Sequence, residues 1–126
     1  MKQIKENKSY RDLEVWKNAK DLVKVVYIVT QNFPVIEQYG LLLQIRRAAV
    51  SIPSNIAEGI GRKSVRETIR FLYISRGSLY ELETQIIVAF ELNFIAQTTY
   101  EEILISLNRV GRLLSGFISY YETKID

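Results

Sequence analysis

Apolar residues recur at intervals of three and four along nearly the whole chain, which is the pattern of amphipathic helices. The pattern predicts four helices and no strands, at residues 12–31, 39–59, 64–93 and from 98 onwards. The connections between them are short, which makes consecutive helices antiparallel. The sequence therefore predicts one all-α domain over residues 1–126, an antiparallel up-down-up-down four-helix bundle with a flexible tail at residues 1–9.

The second predicted helix contains a proline. Its apolar phase continues past Pro53 to Ile56 and Ile60, so we expect the proline to bend the helix without breaking it. We expect Gly59 and Gly61 to end the helix in the left-handed conformation that glycine adopts easily. The sequence thus predicts one kinked helix rather than two short ones.

A polar stripe follows another face of this helix. We use this name for four side chains spaced by three or four residues, namely Arg47, Ser51, Asn55 and Glu58. The polar stripe could bind a small ligand. Buried polar groups need partners whatever the function, so we favour a structural network that ties this helix to Glu81 or Glu83 of the third.

Positive charge is concentrated at the start of the third helix. The net charge is only +3, but between residues 40 and 80 basic side chains clearly outnumber acidic ones. We call the following set the basic band: Arg62, Lys63, Arg66, Arg70, Tyr73 and Arg76. Guanidinium groups bind phosphates, while Tyr73, and Tyr80 beyond it, could stack on unpaired bases. The alternative is a solvated face whose arginines pair with Glu67 or with acids of a neighbouring helix.

Composition narrows the possible functions. The chain has no cysteine and no histidine, which excludes disulfides, thiolate or histidine metal sites, cysteine nucleophiles and Ser-His triads. The helix positions that face the interior also lack the paired carboxylates that hold a divalent ion in helical hydrolases. We therefore expect a non-enzyme with no catalytic residue, metal or cofactor. Without a signal peptide or a membrane-length apolar run, it should be cytoplasmic and not membrane-bound.

The chain has more apolar residues than one inward-facing apolar stripe on each helix requires. Seven apolar residues lie partly outside these predicted stripes: Val15, Leu22, Val25, Ile28, Phe71, Val88 and Phe94. Exposed apolar surface of this kind favours self-association. Two functions remain open, an oligomeric bundle that binds RNA or DNA and a protein–protein interaction scaffold that binds no nucleic acid.

Three segments resemble a known family. They read YRDLEVWK at residues 10–17, NFPVIEQYGLLLQIRRAAVSIPSNIAEG at 32–59 and RFLYISRGSLYELETQ at 70–85. From residue 10 to about 116 the chain is similar to the bacterial four-helix-bundle proteins encoded inside intervening sequences of 23S ribosomal RNA genes. It is similar, too, to accessory variability determinant proteins of diversity-generating retroelements, which bind nucleic acid and a reverse transcriptase through a basic surface.

The resemblance implies a four-helix protomer in a ring-shaped homo-oligomer, a pentamer. It implies RNA or DNA, and by analogy a reverse transcriptase, as partners. It implies no established enzymatic activity.

Overall fold

Four helices make up most of residues 9–125, the part of the chain that the computed structural model describes. They are α1 (Glu14–Thr30), α2 (Leu41–Ile60), α3 (Val65–Glu91) and α4 (Gln97–Glu122), with short 3-10 turns at Tyr10–Asp12 and Val35–Glu37. There is no strand in this range. Each helix packs against the next, and α4 packs back against α1. The predicted all-α, up-down-up-down bundle is confirmed.

The core draws fully buried side chains from all four helices, among them Leu22, Ile52, Leu72 and Leu114. The assignment of Val15 and Leu22 to surplus surface was wrong, because both are buried. Because α1 packs against both α2 and α4, the apolar face that it buries is wider than a single stripe.

The four most exposed large apolar side chains lie at one end of the bundle. Ile28 is 63% exposed at the end of α1. In the connection that follows, Val35, Ile36 and Tyr39 are 84%, 88% and 84% exposed. Phe94, which was expected to be partly exposed, instead packs on the core beside Phe33, with ring centroids 5.4 Å apart.

The closest approach in the bundle is between α2 and α3. The Ser75 hydroxyl donates a hydrogen bond of 2.8 Å to the Ile52 carbonyl, and the Thr68 hydroxyl donates one of 2.8 Å to the Gly59 carbonyl. A Cβ atom added at Gly59 would lie only 2.9 Å from the Phe71 Cβ. Gly59 is therefore required for helix packing.

The two glycines do not end α2 as expected. α2 runs through Pro53 without a break, but Gly61 has a right-handed φ of −78°, and no glycine in residues 9–125 has a positive φ. The predicted left-handed glycine cap was therefore wrong, and the chain reaches α3 through Ser64, whose backbone is extended. The left-handed residue is Asn93, with φ of 66°, after α3.

Asn93 completes a Schellman motif. Its N–H donates to the Phe90 carbonyl, and the Phe94 N–H donates to the Ala89 carbonyl, each at 2.9 Å. Asparagine is the commonest substitute for glycine at this position. The motif satisfies the last carbonyls of α3 and directs the chain into α4.

At the N-terminus, residues 1–8 of the expected tail lie outside the described residues. Ser9 caps the first turn by accepting a hydrogen bond from the Arg11 N–H at 3.1 Å. Of the helices described, none has an apolar stretch long enough to cross a membrane.

Candidate nucleic-acid interface

Four of the five cationic residues of the basic band lie at the start of α3 and in the turn before it. Arg62 and Lys63 occupy the turn between α2 and α3, and Arg66 and Arg70 follow on the first turns of α3. All four side chains are exposed. Lys63 and Arg66 have no ion pair, hydrogen bond or ring contact with any residue in 9–125. These two cations are available to an external anion.

Arg62 and Arg70 are held against a common aromatic ring. Their guanidinium carbons lie 4.6 and 4.9 Å from the centroid of the Phe71 ring. Arg62 also donates a hydrogen bond to Glu58, and the Arg70 Nε lies 3.8 Å from a Glu67 oxygen. Exposed ion pairs of this kind contribute only about 0–1 kcal/mol. The predicted alternative of a paired face thus describes Arg62 and Arg70, but not their two neighbours.

Tyr73 and Arg76 are tied to α4. The Tyr73 hydroxyl donates to a Glu122 oxygen at 2.7 Å, and this hydrogen bond, with some desolvation, raises the pKa of Tyr73. The Arg76 guanidinium lies 4.7 Å from the centroid of the Tyr73 ring and donates to the Ser115 hydroxyl at 3.4 Å. Because these contacts occupy Tyr73, it is less free to stack on a base than the sequence indicated.

Tyr80 is the more accessible ring on this face. Its side chain is 56% exposed and makes no hydrogen bond or ring contact within the described part of the chain. It lies two turns beyond Tyr73 on α3. An aromatic ring available for stacking therefore lies farther along α3 than the cations at its start.

The polar stripe contributes two residues to a cluster between α2 and α3. The Ser51 and Ser78 hydroxyls are 2.8 Å apart, and the Asn55 side-chain nitrogen donates to the Ser51 hydroxyl and carbonyl, each at 2.9 Å. Sequence reasoning missed Ser78. The two hydroxyls link α2 to α3 at this point. Arg47 is exposed and has no partner among residues 9–125.

Neither Glu81 nor Glu83 makes a hydrogen bond or an ion pair with the polar stripe within residues 9–125, so the predicted link through these acids is not present there. Glu58 is exposed and bound to Arg62, and the exposed Glu81 accepts a hydrogen bond from Gln85 at 3.3 Å. Glu83 is half-buried on the side of α3 that faces α4. Within the described residues, no group of three or more aspartates or glutamates is arranged to hold a metal ion.

Arg46 is a further residue that sequence reasoning missed. Its Nε donates to the Thr30 hydroxyl at 2.8 Å, and a terminal nitrogen donates to the Tyr27 carbonyl at 3.1 Å. Its guanidinium carbon lies 4.3 Å from the centroid of the Tyr27 ring. Arg46 therefore binds the C-terminal end of α1, where carbonyls lack helical partners. The adjacent Arg47 carries the same charge but has no such role.

Residues 11–116 match the family model described as 23S rRNA-intervening sequence protein. The chain belongs to this family. The description names ribosomal RNA intervening sequences and no enzymatic activity. The matched range contains the whole basic band, the polar stripe and Glu81 and Glu83. It ends before Glu122, the partner of Tyr73.

A solved structure has the same fold. It is a protein of unknown function from the S23 ribosomal protein family of Bacteroides thetaiotaomicron, with a TM-score of 0.75 and 23% sequence identity. The alignment covers 83% of this chain and 95% of that one. At this identity the likeness shows the fold alone. No curated protein matches the sequence significantly.

Proposed function

We propose that the protein is a non-enzymatic, oligomeric helical bundle that binds single-stranded RNA or DNA through the basic band. The observation that carries the proposal is the pair of exposed, unpartnered cations Lys63 and Arg66, flanked by Arg62 and Arg70 over Phe71. Membership of a family described by 23S rRNA intervening sequences is consistent with contact to RNA.

Binding a phosphate at the basic band would disrupt little of the fold. Lys63 and Arg66 make no internal contact within residues 9–125, so neither has to give one up to bind an anion. Arg62 and Arg70 would exchange weak surface ion pairs for a phosphate, while Phe71 continues to hold the guanidiniums in place. Each phosphate contact also releases counterions from the strand. The basic band therefore suits the sugar-phosphate backbone more than a particular base.

Replacing Arg66 with glutamine tests this proposal. The variant should unfold like the parent, because Arg66 is exposed and unpartnered. Its affinity for a deoxythymidine or uridine oligonucleotide should fall. The slope of log affinity against log salt should become shallower by about 0.7, the value for one single-strand phosphate contact.

Arg109→Gln is the matched control. Arg109 is also exposed and without a partner in the described chain, but it lies on α4, away from the basic band. The control should keep the parent's salt slope. Equal changes in both variants, or no binding by the parent at about 50 mM salt, where electrostatic contacts are strongest, would overturn the proposal.

The alternative function is a protein–protein scaffold that binds no nucleic acid. The observation that favours it is the apolar surface at the α1–α2 connection, where Val35, Ile36 and Tyr39 are each more than four-fifths exposed. Side chains of this kind are usually covered by a partner. The same surface supports self-association, with a pentamer and a reverse-transcriptase partner suggested by the family resemblance.

Self-association predicts a mass in solution above the 14.7 kDa of one chain. The exposed apolar side chains at the α1–α2 connection would be removed from water in the assembly. Light scattering at micromolar concentration measures the mass directly. A value near 14.7 kDa would contradict the oligomer while leaving the proposal for the basic band intact.

A further inference from the structure

A groove runs between α3 and α4 beside the basic band. Its floor is formed by Leu79, Leu107 and Gly111, and its volume is about 410 Å³. This lies at the small end of the range for sites that bind small molecules, about 300–1,000 Å³. Gly111 keeps the floor low, since even an added Cβ would already touch the Leu79 side chain at 3.5 Å.

The rim of the groove carries polar groups without internal partners. Glu83 is half-buried, yet its carboxylate makes no hydrogen bond or ion pair with any of residues 9–125. Arg112 on the opposite wall is also unpartnered, and the two do not form an ion pair with each other. The pair therefore offers an acceptor and a donor to a ligand between the helices.

The groove begins where the basic band ends. Arg76, the last member of the band, donates to Ser115, which lines the groove. Tyr80 follows Arg76 by four residues, about 6 Å along the helix, and its exposed ring also lines the groove. A strand held at Arg66 and Arg70 and continued along α3 would bring a base to this ring.

We infer that the groove holds one unpaired guanine of the strand bound by the basic band, an inference that rests on the proposed function. The Glu83 carboxylate accepts the guanine N1–H and N2–H donors as a bidentate pair. Arg112 donates to the O6 and N7 acceptors, and Tyr80 stacks on the ring.

The other bases fit this donor and acceptor arrangement less well. Adenine and cytosine have a ring nitrogen acceptor where guanine has N1–H. In the groove this acceptor would face the carboxylate, which is also an acceptor, so no hydrogen bond could form. Uracil and thymine have one N–H between two carbonyl oxygens, which the carboxylate repels. The groove therefore favours guanine, whereas the basic band does not distinguish bases.

Two deoxythymidine decamers, one with a single central guanine, test the inference on the full-length protein. The parent should bind the guanine decamer at least about fivefold more tightly, the lower end of what one bidentate base contact contributes. Glu83→Gln should abolish this ratio, since an amide offers one acceptor and adds a donor. Affinity for the plain decamer should not fall.

Glu81→Gln is the matched control, because it removes the same charge on the same helix outside the groove. It should keep the guanine ratio. Gly111→Leu, which fills the floor, should lose the ratio, whereas Gly116→Leu, where an added Cβ meets nothing within 4 Å, should keep it. Melting curves would verify that each variant is folded.

Failure of the guanine site and failure of the proposed function give different binding results. If the parent binds both decamers equally well, the guanine site is wrong and the proposed function stands. If it binds neither, both are wrong. If Glu83→Gln and Gly111→Leu are folded and keep the guanine ratio, the preference arises elsewhere and the groove is not the site.

Discussion

Replacing Gly59 with valine should destabilise the bundle by about 3 kcal/mol, at the upper end of typical overpacking effects. An added Cβ would lie 2.9 Å from the Phe71 Cβ and 3.1 Å from the Thr68 carbonyl oxygen. These atoms belong to or adjoin the backbone of α3, so they cannot move aside by changing a rotamer. The helices would have to separate, which would also strain the hydrogen bond from Thr68 to the Gly59 carbonyl.

Gly77→Ala is the matched control and should have the opposite sign. Gly77 is exposed in the middle of α3, with nothing within 4 Å of an added Cβ. Alanine should therefore stabilise the protein by about 0.5–1 kcal/mol through helix propensity. Urea unfolding at one fixed protein concentration measures both changes. A Gly59→Val variant as stable as the parent would contradict the close approach of α2 and α3.

The fold could be predicted because its signals are local. Apolar spacing of three and four gave the four helices, and the apolar phase beyond Pro53 correctly indicated that α2 continues. The start of α3 is equally local, since the Ser64 hydroxyl caps the helix by accepting a hydrogen bond from the Glu67 N–H at 3.1 Å. Such features depend on residues within one or two turns of each other, so the sequence alone carries them.

Helix ends were predicted less well. α4 begins at Gln97, one residue before the predicted start, and Ala96 at its N-cap provides no side-chain hydrogen bond. Asn93 was not recognised as the left-handed residue after α3. The prediction placed the left-handed residues at Gly59 and Gly61, but Gly59 instead allows α2 to pack closely against α3. A glycine's role depends on what faces it, and one sequence does not show that.

The sequence indicated the grouping of the basic side chains but not their contacts. Spacing by four predicted that Arg62, Arg66 and Arg70 project together, and Arg62 and Arg70 both lie over the Phe71 ring. Which of them are free depends on Phe71 and on the acids beside it. Tyr73 is occupied by Glu122, a residue 49 positions later in the chain. Such long-range partners follow from the packing of α3 on α4, which periodicity alone does not define.

Replacing Arg46 should reduce stability far more than replacing the adjacent Arg47 on α2. Replacing Arg46 with methionine should reduce the free energy of unfolding by about 1.5–3 kcal/mol, the range for hydrogen bonds that involve a charged group. The substitution removes the donors to the Thr30 hydroxyl and the Tyr27 carbonyl and the cation over the Tyr27 ring. It leaves the C-terminal carbonyls of α1 without this cationic partner.

Arg47→Met provides the comparison, since it removes the same charge from the next residue. Arg47 is exposed and has no partner in the described part of the chain, so its replacement should change stability by less than about 0.5 kcal/mol. A double-mutant cycle of Arg46→Met with Thr30→Val isolates the contact to the hydroxyl. Because Thr30 is fully buried, a cycle with no coupling, or equal losses from the two arginine variants, would show that Arg46 does not hold the end of α1.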